Sequence, residues 1–79
     1  NHWRIQILLL VNLSKSLTLD EIVQELKANT KTISEHTRRL VQAGLINKKY
    51  LGRKVLHSLS PYGKIFVSFL RTFQHSQEY

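Results

Sequence analysis

Thr30, Lys31, Ser34, Glu35 and Arg38 recur at three- and four-residue intervals in one stretch, Asn29–Leu45, which reads NTKTISEHTRRLVQAGL. Residues so spaced share one face of an α-helix. Their side chains carry the donors and acceptors that read base edges. A cation can donate to guanine O6 and N7, a hydroxyl can meet a base or a phosphate, and a carboxylate can accept from the cytosine amino group. Lys31 and Arg38 are therefore candidate guanine donors, Ser34 an adaptable contact and Glu35 an acceptor. Glu35 has a plainer role open to it, an i,i+4 ion pair with Lys31 or Arg39 on the helix surface. Thr32 and the amides at the helix start are better placed for phosphate, as is Arg39.

The surroundings of this stretch are one-sided in charge. Twelve Lys and Arg face five Asp and Glu in 79 residues, a formal net charge of +7. Between Lys27 and Lys54 lie Lys27, Lys31, Arg38, Arg39, Lys48, Lys49, Arg53 and Lys54, with Glu35 the only acid among them. A field concentrated in this way suits a polyanion, and double-stranded DNA is the partner expected. A solvated surface that keeps the protein soluble is the blander account. Enzymatic chemistry has no support: no nucleophile elbow, phosphate loop or paired carboxylates occur, and His2, His36, His57 and His75 are scattered. The chain has no cysteine, which excludes disulfides and Cys-rich zinc sites. No cofactor and no metal are expected. The longest apolar run, Ile7–Val11, is far below the ~20 residues of a membrane span, and a cytoplasmic location fits.

Positioning such a face requires a scaffold. In Asn29–Leu45 the apolar positions Ile33, Leu40, Val41 and Leu45 form a stripe with Thr37 in its middle. Asn29 can cap the start, and Gly44 can end the helix in a left-handed conformation. Just before it, Thr18-Leu19-Asp20-Glu21 is a capping box, with Leu17 and Ile22 at the staple positions. That helix should run to about Lys27, with Leu19, Ile22, Val23 and Leu26 inward. Ala28 and Asn29 leave room only for a tight turn, so the two helices form a helix-turn-helix. After Gly44, alternation on both sides of Gly52 (Ile46, Lys48, Tyr50; then Val55, His57, Leu59) predicts a β-hairpin turning near Leu51–Lys54. Lys48, Lys49, Arg53 and Lys54 would decorate it, contacting the DNA backbone or entering a minor groove.

Two apolar helices flank this centre. Trp3, Ile7, Leu10 and Val11 share a stripe in residues 3–13, widened by Leu8 and Leu9, although a buried strand competes for so short a run. Ser60-Pro61 is a good start for a last helix reaching about Gln77, with Tyr62, Ile65, Phe66, Phe69, Leu70 and Phe73 at amphipathic spacing. One small domain has little core in which to bury both stripes. Association into a homodimer is expected, through Trp3, Ile7, Leu10, Phe66, Phe69, Leu70 and Phe73. The alternative is that these stripes close the monomer core. The fold class is mainly α with a small β-hairpin, in a single domain over residues 1–79.

This order of elements resembles the winged helix-turn-helix regulators of bacteria and archaea, in particular the ArsR-like and MarR-like groups. Residues 32–46, TISEHTRRLVQAGLI, look like their recurring pattern T-[VI]-S-x-H-L-x-x-L-x-x-A-G-L-[VI]. Gly52-Arg53, then Leu59-Ser60 and Gly63, look like the family's wing and the start of its last helix. The resemblance covers roughly residues 3–75. It implies a transcriptional regulator with its second helix-turn-helix element in the major groove and a basic wing. Thr37 departs from the pattern's Leu, which leaves a looser core there or a hydroxyl bonded back to its own helix. The cysteine pair of the metal-sensing ArsR proteins is absent. His75 and Glu78 are the residues that could stand in a last-helix metal site of the kind some relatives carry. Two other uses of such a fold remain open: coating DNA without sequence preference, and contacting another protein.

Overall fold

The computed structural model describes residues 2–76, with side chains through residue 73. Four helices and one hairpin follow each other as α1 (His2–Ser14), α2 (Leu19–Leu26), α3 (Thr30–Gln42), β1 (Ile46–Leu51), β2 (Lys54–Leu59) and α4 (Pro61–Ser76). This is a winged helix-turn-helix, with the hairpin as its wing. The Leu-rich run of α1 is helical rather than extended. Leu17 pairs with His57 in an isolated antiparallel bridge beside β2, so the loop after α1 lends the hairpin a short third edge.

The helix ends are set by local chemistry. Thr18 Oγ1 accepts from the Glu21 amide at 3.2 Å, and Glu21 Oε1 accepts from the Thr18 amide at 2.8 Å. Those bonds hold the Glu21 carboxyl below the usual carboxylate range, the Thr18 backbone amide contributing most. At the far end of α2, Lys27 takes the left-handed conformation at φ 51°. The glycine common in such turns is missing, and a lysine carries the strain in its place. Asn29 Oδ1 caps α3 by accepting from the amides of Lys31 at 2.8 Å and Thr32 at 3.4 Å. Gly44 closes α3 at φ +79°. Its amide donates to Val41 O, and the Leu45 amide donates to Leu40 O, each at 3.0 Å, which satisfies carbonyls the helix leaves open.

The core runs between α1, the helix-turn-helix and the base of the hairpin. Ile7, Leu8, Val11, Leu17, Ile22, Ile33, Leu40, Ile46, Leu59 and Val67 are buried, with Trp3, Leu9, Leu10, Leu19, Val23, Leu26, Val41 and Leu45 packed against them. Ile7 is fully enclosed by the chain's own core. That corrects the expectation that it lies on an association surface: Ile7 is closed inside the core of the single chain, with Trp3 and Leu10 partly buried against that core.

The largest departure from expectation is in α4. Its core-facing residues are Val67 and Gly63, neither of them in the stripe read from the sequence. A Cβ at Gly63 would run into the Leu45 carbonyl oxygen, so the first turn of α4 lies directly on the chain leaving α3. Ser60 fastens the same joint. Its hydroxyl donates to Gly44 O at 2.6 Å and accepts from the Gly63 amide at 2.9 Å, and its amide donates to Leu45 O at 3.0 Å. With Gly63 and Val67 inward, helical geometry turns the aromatic stripe outward. Tyr62 is 65% exposed, Ile65 69%, Phe69 65% and Phe73 54%, while Phe66 and Leu70 are more covered.

Candidate nucleic-acid interface

The two-residue turn Gly52-Arg53 joins strands whose partners include Lys48 with His57 and Tyr50 with Val55. Side chains alternate along a strand, so Lys48, Tyr50, Val55 and His57 share the face turned toward α3. Together with Arg53 and Lys54 they form one wall of a cleft of about 600 Å³; Ser34, Thr37 and Arg38 of α3 and Thr18, Leu19 and Asp20 at the start of α2 complete it. The fold thus gathers Ser34, Arg38, Lys48, Arg53 and Lys54 around a single opening. Lys49 pairs with Leu56 on the opposite face of the hairpin, and two adjacent lysines therefore serve different surfaces. Thr30, Lys31 and Arg39 are exposed along α3 outside this cleft, and Thr32 is half-covered. The amides of Lys31 and Thr32, expected to be open to phosphate, are already engaged by Asn29.

Glu35 sits at the centre of the cations of α3. Its Oε1 and Oε2 each accept from Arg38 Nη2 at 3.0 Å, and Oε1 also accepts from Arg39 Nε at 3.1 Å. The partners are Arg38 and Arg39 rather than Lys31. These hydrogen bonds, that of Arg38 foremost, hold the Glu35 carboxyl below its ordinary range. At neutral pH it is a carboxylate already shared by two guanidiniums.

Two polar groups of the cleft, and one contact between α1 and α3, carry no such assignment from the sequence. Thr37 is 2% exposed, and its Oγ1 has no hydrogen-bond partner among the described residues. The hydroxyl does not bond back to its helix. Thr37 lines the cleft at the position where the resembled pattern has leucine. His57 is buried in the cleft wall, where Nδ1 lies 3.1 Å from Leu17 O. A carbonyl only accepts, so Nδ1 carries the proton. Burial pushes the imidazole below its ordinary 6.5, the Leu17 carbonyl opposes this, and Lys48 adds to it. Arg4 of α1 donates from Nε to His36 Nδ1 of α3 at 3.3 Å, tying the first helix to the third. The alternation Lys48, Tyr50, Val55, His57 was the available sign that Tyr50 and His57 share the cleft. Arg4 gave none, because a bond across 32 residues leaves no periodic trace. The side chain of His75 and the whole of Glu78 lie outside the described residues. No described helix is long and apolar enough to cross a membrane.

The sequence profile described as "Bacterial regulatory protein, arsR family" matches residues 2–48, which is more than half of the chain. The chain belongs to the arsR family. No curated protein sequence matches this arsR-family chain. Among solved structures it is similar to HlyU from Vibrio cholerae, with 26% identity over 92% of this chain and 77% of HlyU at a TM-score of 0.80. It is similar in fold to Bordetella bronchiseptica BpsR, a protein whose DNA binding is regulated by 6-hydroxynicotinic acid. There the identity is 22%, the coverage 94% of this chain and 54% of BpsR, and the TM-score 0.84. A variant of MarR from E. coli, solved in complex with operator DNA, matches at 19% identity over 82% of this chain and 49% of MarR, with a TM-score of 0.78. The arsR-family chain spans about half the length of BpsR and of MarR. Its family and fold are those of transcriptional regulators.

Proposed function

We propose that this chain is the DNA-binding module of a cytoplasmic transcriptional regulator that recognises a specific duplex sequence. The observation that carries this reading is the cleft between α3 and the wing, where Arg38, Lys48, Arg53 and Lys54 converge on Ser34 with Asp20 the only acid among the lining residues. In this reading the exposed face of α3 enters the major groove, where Thr30, Lys31, Ser34, Glu35 and Arg38 meet base edges. Arg39, Lys48, Lys49, Arg53 and Lys54 hold the phosphates, with Thr32 beside them. The MarR complex with operator DNA supports a duplex as the ligand of such a fold.

The outward face of α4 supports a homodimer. Phe66, Phe69, Leu70 and Phe73 would meet their symmetry mates, extended by Trp3 and Leu10 of α1, while Ile7 backs that surface from the core. A two-fold axis would then present two α3 helices about 34 Å apart to a pseudo-palindromic site. Selection of bound sequences from a random duplex library, with salt titration of the winners, tests the reading. A consensus with two related half-sites is expected. Equal recovery of all sequences would indicate DNA coating, and no salt-dependent binding would indicate a protein-contact module. Light scattering at micromolar concentration should report a dimer.

A further inference from the structure

We propose that Glu35 is a specificity gate, a carboxylate that holds Arg38 and Arg39 on the helix and releases them productively only to a duplex offering an amino group in its place. The proposal rests on the DNA-binding reading given above. Its starting point is the position of Glu35, the only acid between Lys27 and Lys54, at the middle of the exposed basic face of α3. Both carboxylate oxygens are taken by arginine: Arg38 Nη2 lies 3.0 Å from Oε2, and Arg39 Nε lies 3.1 Å from Oε1.

Neither pair is locked. The side chain of Glu35 keeps 44% of its exposure and those of Arg38 and Arg39 more than half, so solvent screens both pairs and exchange is easy. An approaching duplex brings phosphates and guanine edges that compete for the two guanidiniums. If the arginines leave, Glu35 faces a negatively charged surface without a partner. Major-groove base edges offer one kind of relief, the exocyclic amino groups of cytosine and adenine; guanine O6 and N7 and thymine O4 present further acceptors and repel a carboxylate. A duplex with an amino group opposite Glu35 frees both arginines and satisfies the carboxylate. Any other duplex leaves either the carboxylate unpaired or the arginines occupied. Glu35 therefore lowers affinity for DNA in general, and lowers it least for sites with cytosine or adenine at that position.

The experiment compares the whole chain with its Glu35→Ala and Glu35→Gln variants, on the duplex that wild type selects from a random library and on the unselected library. Alanine is the strongest helix former, so α3 persists in that variant, and circular dichroism verifies this. Removing the charge should raise affinity for the unselected library about 10-fold and steepen the salt dependence by about one unit of slope. The ratio of selected to unselected affinity should collapse by a similar factor. Sequences selected by Glu35→Ala should lose the cytosine or adenine preference at one position per half-site, and Glu35→Gln should keep adenine alone. An unchanged ratio in both variants would overturn the proposal and leave Glu35 an ordinary surface ion pair. Failure of wild type to select any consensus would overturn it too. If wild type bound no duplex in a salt-dependent way, the DNA-binding reading itself would fall, a result distinguishable from the others.

Discussion

Gly63→Ala is the substitution whose outcome the fold determines most tightly. A Cβ at this position would overlap the Leu45 carbonyl oxygen and lie 3.1 Å from Leu45 C. Carbon contacts prefer ~3.5–4.0 Å, so α4 has to move by about 1 Å or more, and the obstacle is backbone that cannot rotate aside. That movement stretches the Ser60 amide bond to Leu45 O, now 3.0 Å, and the Ser60 hydroxyl bond to Gly44 O, now 2.6 Å. Two hydrogen bonds of about 1 kcal/mol each are compromised, and overpacking adds about 1–3 kcal/mol. Alanine's better helix propensity returns about 1 kcal/mol. The net loss is about 2–4 kcal/mol, a large share of the roughly 4–12 kcal/mol expected of a chain this size. Urea unfolding followed by circular dichroism measures it, and the melting temperature should fall by about 10–25 °C. Gly44→Ala is the matched control. It meets open space but sits at φ +79°, so its cost is backbone strain of about 1–2 kcal/mol. If Gly63→Ala were as stable as wild type, the close seating of α4 on Leu45 would be refuted, and with it the reason the aromatic stripe faces outward.

Four further outcomes are expected. Arg53→Ala should weaken binding similarly for all duplexes and reduce the salt slope by roughly one; unchanged affinity in a fluorescence-anisotropy titration would remove the wing tip from the interface. Arg38→Ala should cost ~1–3 kcal/mol of binding and relax base preference at one position, whereas a uniform loss across sequences would identify a phosphate contact. Lys15 holds φ 72° in the loop after α1, so Lys15→Gly should stabilise the fold by about 1 kcal/mol in thermal melts, and a lower melting temperature would contradict the strain. Folded His57 resists protonation because it is buried, while the unfolded chain takes the proton near its ordinary 6.5. Stability should therefore be full above about pH 6.5, decline as pH falls below it and level off once the folded imidazole also titrates. His57→Asn, whose amide can still donate to Leu17 O, should flatten that part of the pH profile. An equal acid-side loss in both proteins would move the origin elsewhere.

Much of this molecule follows from short-range pattern. The capping box at Thr18, the cap at Asn29, the left-handed stops and the alternation around Gly52 each use residues within one turn or one strand pair of each other. Such interactions leave their period in the sequence, and the four helices and the hairpin were legible for that reason. The cations that line the cleft were legible as residues of one helix face and one hairpin from the same periodicity. Other features were not. Which of the apolar residues of α4 face inward depends on Gly63 meeting the Leu45 backbone, a contact invisible to any count of hydrophobic spacing. Val67 gives no signal of its own because the aromatics around it dominate the pattern. By spacing Ile7 belongs to a continuous stripe, and only the closing of the core removes it from the surface.

The sequence by itself determined the order of elements, the basic face of α3 and the one acid within it, because these depend on residue type and spacing along a single helix or hairpin. Tertiary structure decided the rest. It brought Ser34 and Arg38 to one cleft with Lys48, Arg53 and Lys54, left Thr37 Oγ1 without a partner among the described residues, and tied His57 to Leu17 and Arg4 to His36. Of the two partners that spacing offered Glu35 it kept Arg39 and not Lys31, and it added Arg38. Each of these joins segments or rotamers whose relative placement is fixed only when the core closes. Backbone alternation can say which face of the hairpin a side chain takes. The docking of that hairpin on α2 and α3 says what the face meets.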